Sequence, residues 1–145
     1  MILDQNLIVS NAQAVTASAV STDTIDLSVA RDIGEGEELF MHFNVGTAVT
    51  AAGAATVDFQ IIGSTASNLG SPVVLGTSGP IAKATLVAGA RIAVKMNPQI
   101  ASTGLRYIGA NYVVATGPLT AGTFTAAIVT DIQDSKNYAS GFAVL

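Results

Sequence analysis

An all-β fold of antiparallel strands, built as a sandwich or a barrel, is the architecture that this sequence predicts. Several runs alternate apolar and polar residues with a period of two, which is the period of a strand that buries one face. No segment shows convincing helical periodicity. Turn-forming residues separate the runs at intervals of about 10 to 18 residues, which leaves no room for the crossover helices that parallel strands need.

The predicted strands follow one another along the whole chain. The clearest alternation lies in residues 91–96, where Arg91, Ala93 and Lys95 are interleaved with three larger apolar side chains. The segments that alternation or β-forming composition marks as strands are 25–29, 39–45, 57–61, 73–77, 92–96, 105–115 and 123–130. We expect a jelly-roll-like sandwich of about eight strands with extended terminal segments. A turn is predicted at Gly79 and Pro80, and one short helical turn at 64–69.

The length predicts one domain, and the composition of its two ends is unusual. A chain of 145 residues suits a single core. We expect residues 1–16 to form an N-terminal arm or a first edge strand, and residues 17–145 to form a single β-sandwich. Residues 1–9 and 142–145 are mostly apolar, whereas chain ends are normally polar and loose unless something ties them down.

Two explanations remain open for these extended terminal segments. Each end could add an edge strand to its own sandwich, or at least one end could be an arm that docks on a neighbouring subunit. In the second case, the side chains expected to contact other subunits are Leu3, Leu7, Ile8, Phe142, Val144 and Leu145.

The low content of charge predicts association with other subunits. Charged residues make up 11% of the chain, against about 25% in soluble domains. A folded chain of this length exposes roughly 6,900 Å², which leaves one charged side chain for roughly 430 Å² of surface. Uncharged patches of that size usually mark contact surfaces. The alternative is a surface made polar by Ser, Thr, Asn and Gly, which the sequence also contains in quantity.

Composition argues against several other functional classes. The net charge is −4 and the six basic residues are scattered, so a nucleic-acid partner is not expected. The chain has no cysteine, which excludes disulfides and thiolate metal sites. Two uncharged stretches, 59–82 and 107–130, are interrupted by Gly and Pro and therefore do not suit a membrane span. The first residues do not resemble a secretion signal.

No pattern of residues indicates catalysis or a bound metal or cofactor. His42 is the single histidine, and no nucleophile-elbow motif accompanies it. The acidic residues Asp32, Glu35, Glu37 and Glu38 lack the spacing of a calcium loop, so we interpret them as a solvated turn. Phosphate-binding glycine motifs are absent. We therefore expect no enzyme activity, no cofactor and no metal.

Three stretches resemble the capsid cement, or decoration, proteins of tailed phages, especially short-tailed ones. Residues 7–16 read LIVSNAQAVT and resemble the family's opening, with Asn11 where the family has Asp. Residues 84–94 read ATLVAGARIAV, and residues 105–118 read LRYIGANYVVATGP, followed by LTAGTFTAAIV at 119–129. The ending YASGF, at 138–142, also fits. The order and spacing of these stretches carry the resemblance, because each motif alone is weakly specific.

The resemblance implies a jelly-roll-like sandwich that binds the outside of an assembled icosahedral capsid. There it would bridge major capsid subunits, as a dimer or a trimer, and stabilise the shell. It implies location on the outer capsid surface of the virion, and in the host cytoplasm during assembly. The family has no catalytic residues to transfer. The alternatives are another β-module of the virion, such as a tail, fibre or head-spike component, and a ligand-binding β-sandwich.

Overall fold

A computed structural model of the chain describes residues 3–132, and this range folds almost entirely into β-strands. Three single 3-10 turns, at Gln5–Leu7, Lys83–Thr85 and Ala101–Thr103, interrupt the strands. The strands are β1 (Ile8–Ala14), β2 (Ala19–Val20), β3 (Ile25–Asp26), β4 (Phe40–Thr50), β5 (Thr56–Ser64), β6 (Val73–Ala82), β7 (Arg91–Lys95), β8 (Tyr107–Ala115) and β9 (Ala121–Val129). None of the helical turns in this range is long and apolar enough to cross a membrane.

The strands form two antiparallel sheets that pack face to face. One sheet has the order β1-β9-β4-β7, and the other has the order β2-β8-β5-β6. The short strand β3 also pairs with β8, beyond β2, so β2 and β3 act as two pieces of one interrupted strand. Counted in this way, eight strands lie in two four-stranded sheets with the order of a jelly roll. The predicted antiparallel, jelly-roll-like sandwich is confirmed.

Some local predictions were wrong, and each has a physical reason. Gly79 and Pro80 do not end β6. They lie within it, because β6 is an edge strand, where a missing N–H is tolerated, and because the ladder to β5 shifts register at this point. The predicted helical turn at 64–69 is a single hydrogen-bonded turn, in which the N–H of Leu69 donates to the carbonyl of Ala66. It does not continue into a helix, because Leu69 has a left-handed φ of +57°. The predicted strand at 25–29 forms a ladder only over Ile25–Asp26, because Ser28 has a φ of +69°, which interrupts the extended backbone.

Four aromatic rings fill the centre of the space between the sheets. Phe43 and Phe124 come from one sheet, and Phe59 and Tyr112 come from the other. Their ring centroids are 5.1 to 6.0 Å apart in five contacting pairs. Such pairs contribute about 0.5–1.5 kcal/mol each beyond the burial of their surface. This cluster therefore joins the two sheets at their middle.

A hydrogen-bond network that begins at the buried hydroxyl of Tyr112 fastens β1 to the rest of the sandwich. The hydroxyl of Tyr112 donates to Ser10 Oγ at 2.9 Å, and Ser10 Oγ donates to Gln13 Oε1 at 2.8 Å. Gln13 in turn bonds to the backbone of Val20 and Thr22. Burial raises the pKa of Tyr112 above its usual value, so its hydroxyl stays a donor. The SNAQ part of the opening motif thus has a structural role.

We predict that Ser10→Ala destabilises the fold more than Tyr112→Phe does. The first change leaves the buried hydroxyl of Tyr112 without an acceptor and should cost roughly 1–3 kcal/mol. The second removes the hydroxyl and leaves the bond from Ser10 to Gln13 in place, so it should cost about 0.5–1.5 kcal/mol. Urea unfolding followed by circular dichroism measures both. Equal losses, or the reverse order, would contradict the network.

Candidate functional site

An apolar pocket of about 490 Å³ opens at one end of the sandwich. Both sheets contribute to its wall, because β3 belongs to one sheet and β9 to the other. Seven aliphatic side chains supply most of the lining, and polar groups border it. The lining residues are Asp4, Leu7, Ile25, Leu27, Ile33, Leu39, Ile128, Val129, Thr130 and Asp131. A pocket of this size is in the range that takes a compact ligand or a large side chain.

The N-terminal segment forms one part of the wall. Asp4 caps the first 3-10 turn, since its side chain accepts a hydrogen bond from the N–H of Asn6 at 2.9 Å. The N–H of Leu7 donates to the carbonyl of Asp4 and closes the turn at 3.0 Å. This capped turn brings Leu7 to the pocket, immediately before Ile8 enters β1.

An ion pair holds the wall that β3 supplies. Asp26 lies between Ile25 and Leu27, and Arg106 donates two hydrogen bonds to its carboxylate, at 2.6 and 2.7 Å. The bond from Arg106, helped by the N–H of Ser28, lowers the pKa of Asp26 to about 2. Because alternate residues of an extended chain share a face, fixing Asp26 on the outside directs Ile25 and Leu27 to the pocket.

The connection from β3 to β4 supplies the third part of the wall. Asp32 accepts a hydrogen bond from the N–H of Ala101 at 2.7 Å, and the N–H of Ile33 donates to the carbonyl of Pro98. These bonds tie the connection to the segment between β7 and β8. Gly34 has a φ of +74°, and a Cβ there would lie 2.9 Å from Leu39 Cγ. A glycine is therefore required for this turn to pack on Leu39.

The net charge of the described chain is concentrated at this end. The pocket rim and the segments that form its wall carry seven carboxylates and three basic side chains, a net charge of −4. The carboxylates are those of Asp4, Asp26, Asp32, Glu35, Glu37, Glu38 and Asp131, and the bases are Arg31, Lys95 and Arg106. In the rest of residues 3–132, two acids and two bases cancel.

The opposite end of the sandwich carries almost no charge. Its loops, at 15–18, 51–55, 83–90 and 116–120, consist mostly of Ala, Gly, Thr and Ser. Lys83 is the one charged residue in these four loops, and its ammonium group donates to the carbonyl of Ala51. The few charged side chains are thus concentrated at the pocket end, and the two ends differ in their electrostatics.

The predicted N-terminal contact residues lie before, in and directly after the first 3-10 turn, and one of the three lines the pocket. Leu7 lines it, and Leu3 is 37% exposed and directly precedes the rim residue Asp4. Ile8 is half-buried in β1, an edge strand of its own sheet, opposite Ala127 of β9. The C-terminal candidates Phe142, Val144 and Leu145 lie outside the described residues.

Sequence reasoning missed most of the wall. The sequence pattern places Ile25, Leu27, Leu39 and Ile128 in strands, and it assigns Ile33 no role. A signal was present in residues 25–39, where isolated aliphatic side chains are interleaved with acidic ones. Strand alternation alone could not show that these residues meet Leu7 and Ile128 across the two sheets.

His42 is buried away from the pocket, on the face of β4 opposite to the core residues Met41 and Phe43. It is 3% exposed, and its Nε2 atom has no hydrogen-bond partner. Burial lowers the pKa of His42, and the charge of Arg91 lowers it further. A buried neutral imidazole of this kind has a packing role.

We predict that His42 makes the fold sensitive to mild acid. Its pKa in the folded chain lies below the ordinary value of 6.5, so the unfolded chain binds the proton more readily. The free energy of unfolding should therefore decrease as the pH falls below about 6.5, by at most about 1.4 kcal/mol for each pH unit. Urea titrations at pH 7 and pH 5 measure the effect. His42→Gln should remove this component, and an unchanged pH dependence in the variant would contradict the assignment.

The described residues offer no obvious metal site. Within residues 3–132, no group of three or more His, Cys, Asp or Glu side chains is arranged to hold a metal ion. The acidic residues of the connection from β3 to β4 are instead engaged in separate contacts or exposed. Asp32 bonds to Ala101, and Glu38 pairs with Lys95.

The geometry defines a class of protein, and a comparison of sequences defines the family. The chain is an all-β, jelly-roll sandwich with an acid-rimmed apolar pocket at one end. The Bbp16 family profile matches residues 9–128, from the second residue of β1 to the penultimate residue of β9. The chain therefore belongs to the Bbp16 family. No curated protein matches it.

Proposed function

We propose that this chain is a virion structural protein that binds the outer surface of an assembled icosahedral capsid and stabilises it by bridging major capsid subunits. The observation that carries the proposal is the ordered set of stretches that resemble tailed-phage cement proteins. Those within the described range contain β1, most of β7, β8 and β9, and the ending at 138–142 lies outside that range.

The positions of these stretches are consistent with the proposal. The opening stretch, 7–16, contains the network of Ser10 and Gln13 that fastens β1. The stretch at 105–118 contains β8 and Tyr112, which completes the same network. The resemblance therefore lies in residues whose contacts depend on one another in the folded chain, which makes a chance combination of strand-like motifs a poorer explanation.

The surface also suits a protein that is retained by many contacts. An acidic protein with few basic residues suits the outside of a shell better than a surface that faces packed nucleic acid. The uncharged loops of one end and the apolar pocket of the other offer two separate contact regions, which a bridging role requires. Contacts repeated over a lattice give high retention even where each one is weak.

A ligand-binding role is the second candidate, and the pocket is the observation that favours it. Its volume of about 490 Å³ and its aliphatic lining would accept a compact apolar molecule. A ligand-binding protein would act without a shell, so the two functions differ in what they predict for a shell-binding experiment.

We expect the purified protein to co-sediment with empty shells assembled from major capsid protein alone, at a fixed ratio to capsid subunits. It should also raise the melting temperature of those shells, because bridging contacts are lost only when neighbouring subunits separate. A β-sandwich protein of similar size and net charge serves as the control for trapping. If the protein stays in the supernatant at saturating concentration, the capsid role is contradicted.

A further inference from the structure

We infer that the acid-rimmed pocket is a docking site for an extended segment of a partner protein, in which one large apolar side chain is flanked by Lys or Arg. This inference rests on the proposed function in one respect, since the expected partner is a subunit of the shell. The chemistry of the segment follows from the pocket itself, through its lining, its rim and the rigidity of its wall.

The lining requires an apolar anchor. Leu7, Ile25, Leu27, Ile33 and Leu39 pack against the edge of the core and remain only partly buried. A side chain such as Leu, Met or Phe would cover them and remove apolar surface from water, which favours binding. A charged or small polar side chain would gain little there and would lose its hydration.

The rim requires positive charge beside that anchor. Asp4 and Asp131 border the pocket, and Glu35 and Glu37 are exposed on the loop that supplies Ile33 and Leu39. Glu35, Glu37 and Asp131 form no ion pair with any residue between 3 and 132. The three basic side chains at this end leave a net charge of −4, so the local field attracts a basic segment and repels an acidic one.

The wall is held open before any partner arrives. The pair of Asp26 and Arg106 fixes β3, and the bonds from Asp32 to Ala101 and from Ile33 to Pro98 fix the loop on the far side. Since a preformed site does not have to be ordered when a partner binds, such a pocket gains affinity from few contacts. This is the geometry expected where a rigid module captures an extended segment.

The inference is tested with a fluorescein-labelled peptide of nine residues, Gly-Ser-Lys-Lys-Phe-Lys-Lys-Ser-Gly, and fluorescence anisotropy of the full chain. Two matched peptides carry either Ser in place of Phe or Glu in place of every Lys. We expect the Lys–Phe peptide to bind with a Kd at least about tenfold lower than that of either matched peptide. Its Kd should rise as the salt concentration is raised. Equal binding of the three peptides, or no binding of the Lys–Phe peptide, would overturn the inference.

Paired variants assign the binding to the pocket. The exposed triple variant Glu35→Gln, Glu37→Gln, Asp131→Asn should weaken binding about fivefold or more. Asp58→Asn, in the half of β5 toward the opposite end of the sandwich, should not weaken it. Ile33→Ser removes part of the lining, and Val87→Ser at the opposite end is its control. Circular dichroism verifies that each variant is folded. Because the rim positions are exposed, their substitution keeps the test valid even if Ile33→Ser unfolds.

Other occupants of the pocket give different results. If the peptide binds only to a chain that ends at Ile132, the chain's own C-terminal segment fills the pocket, and the inference is wrong. If Ile33→Ser converts a dimer into a monomer in sedimentation velocity, a second copy fills the pocket, and the inference is also wrong.

The peptide and shell experiments separate the two proposals. Wild-type protein that binds the peptide but does not bind the shells would contradict the capsid role alone. Protein that binds the shells, with unchanged binding by the pocket variants, would contradict the docking site alone.

Discussion

The packing of four aromatic rings between the two sheets is the constraint on which the rest of this structure depends. Phe43, Phe59, Tyr112 and Phe124 fix the separation of the sheets at their middle, and each comes from one of the four central strands. Toward one end, no further ring fills the gap between the described strands, and aliphatic side chains line a pocket instead. The opening at that end is therefore a consequence of where the large side chains are placed.

Electrostatics then distinguishes the two ends of a molecule that has little charge to distribute. The net charge of −4 lies around the pocket, while the loops at the opposite end carry a single Lys. An apolar pocket with an acidic rim selects partners by shape and by sign of charge, whereas an uncharged end of small residues selects by close packing. The proposed bridging of neighbouring subunits would need two such regions, and the length of the sandwich separates them.

The fold was largely predictable from the sequence, and the site was not. Period-two alternation identified β4, β5 and β7, because successive side chains of a strand point to opposite faces and only one face of each sheet packs on the core. The pocket involves Leu7, Leu27, Ile33 and Ile128, which are distant in sequence and come together only through the pairing of β1 with β9 and of β3 with β8. The alternation of residues within one strand does not indicate which other strands pair with it. Likewise, the hydrogen bonds of Ser10 and Gln13 gave a structural reason for a motif that the sequence showed only as a resemblance.

The central claim is that this jelly roll stabilises a capsid from the outside, and an electron cryomicroscopy reconstruction of shells incubated with the purified protein tests it most directly. We predict ordered density for the sandwich on the outer surface, in contact with at least two neighbouring capsid subunits. The end formed by Asp4, Leu7 and Asp131 should lie against the shell. Shells without added density, or density on the inner surface, would contradict the account.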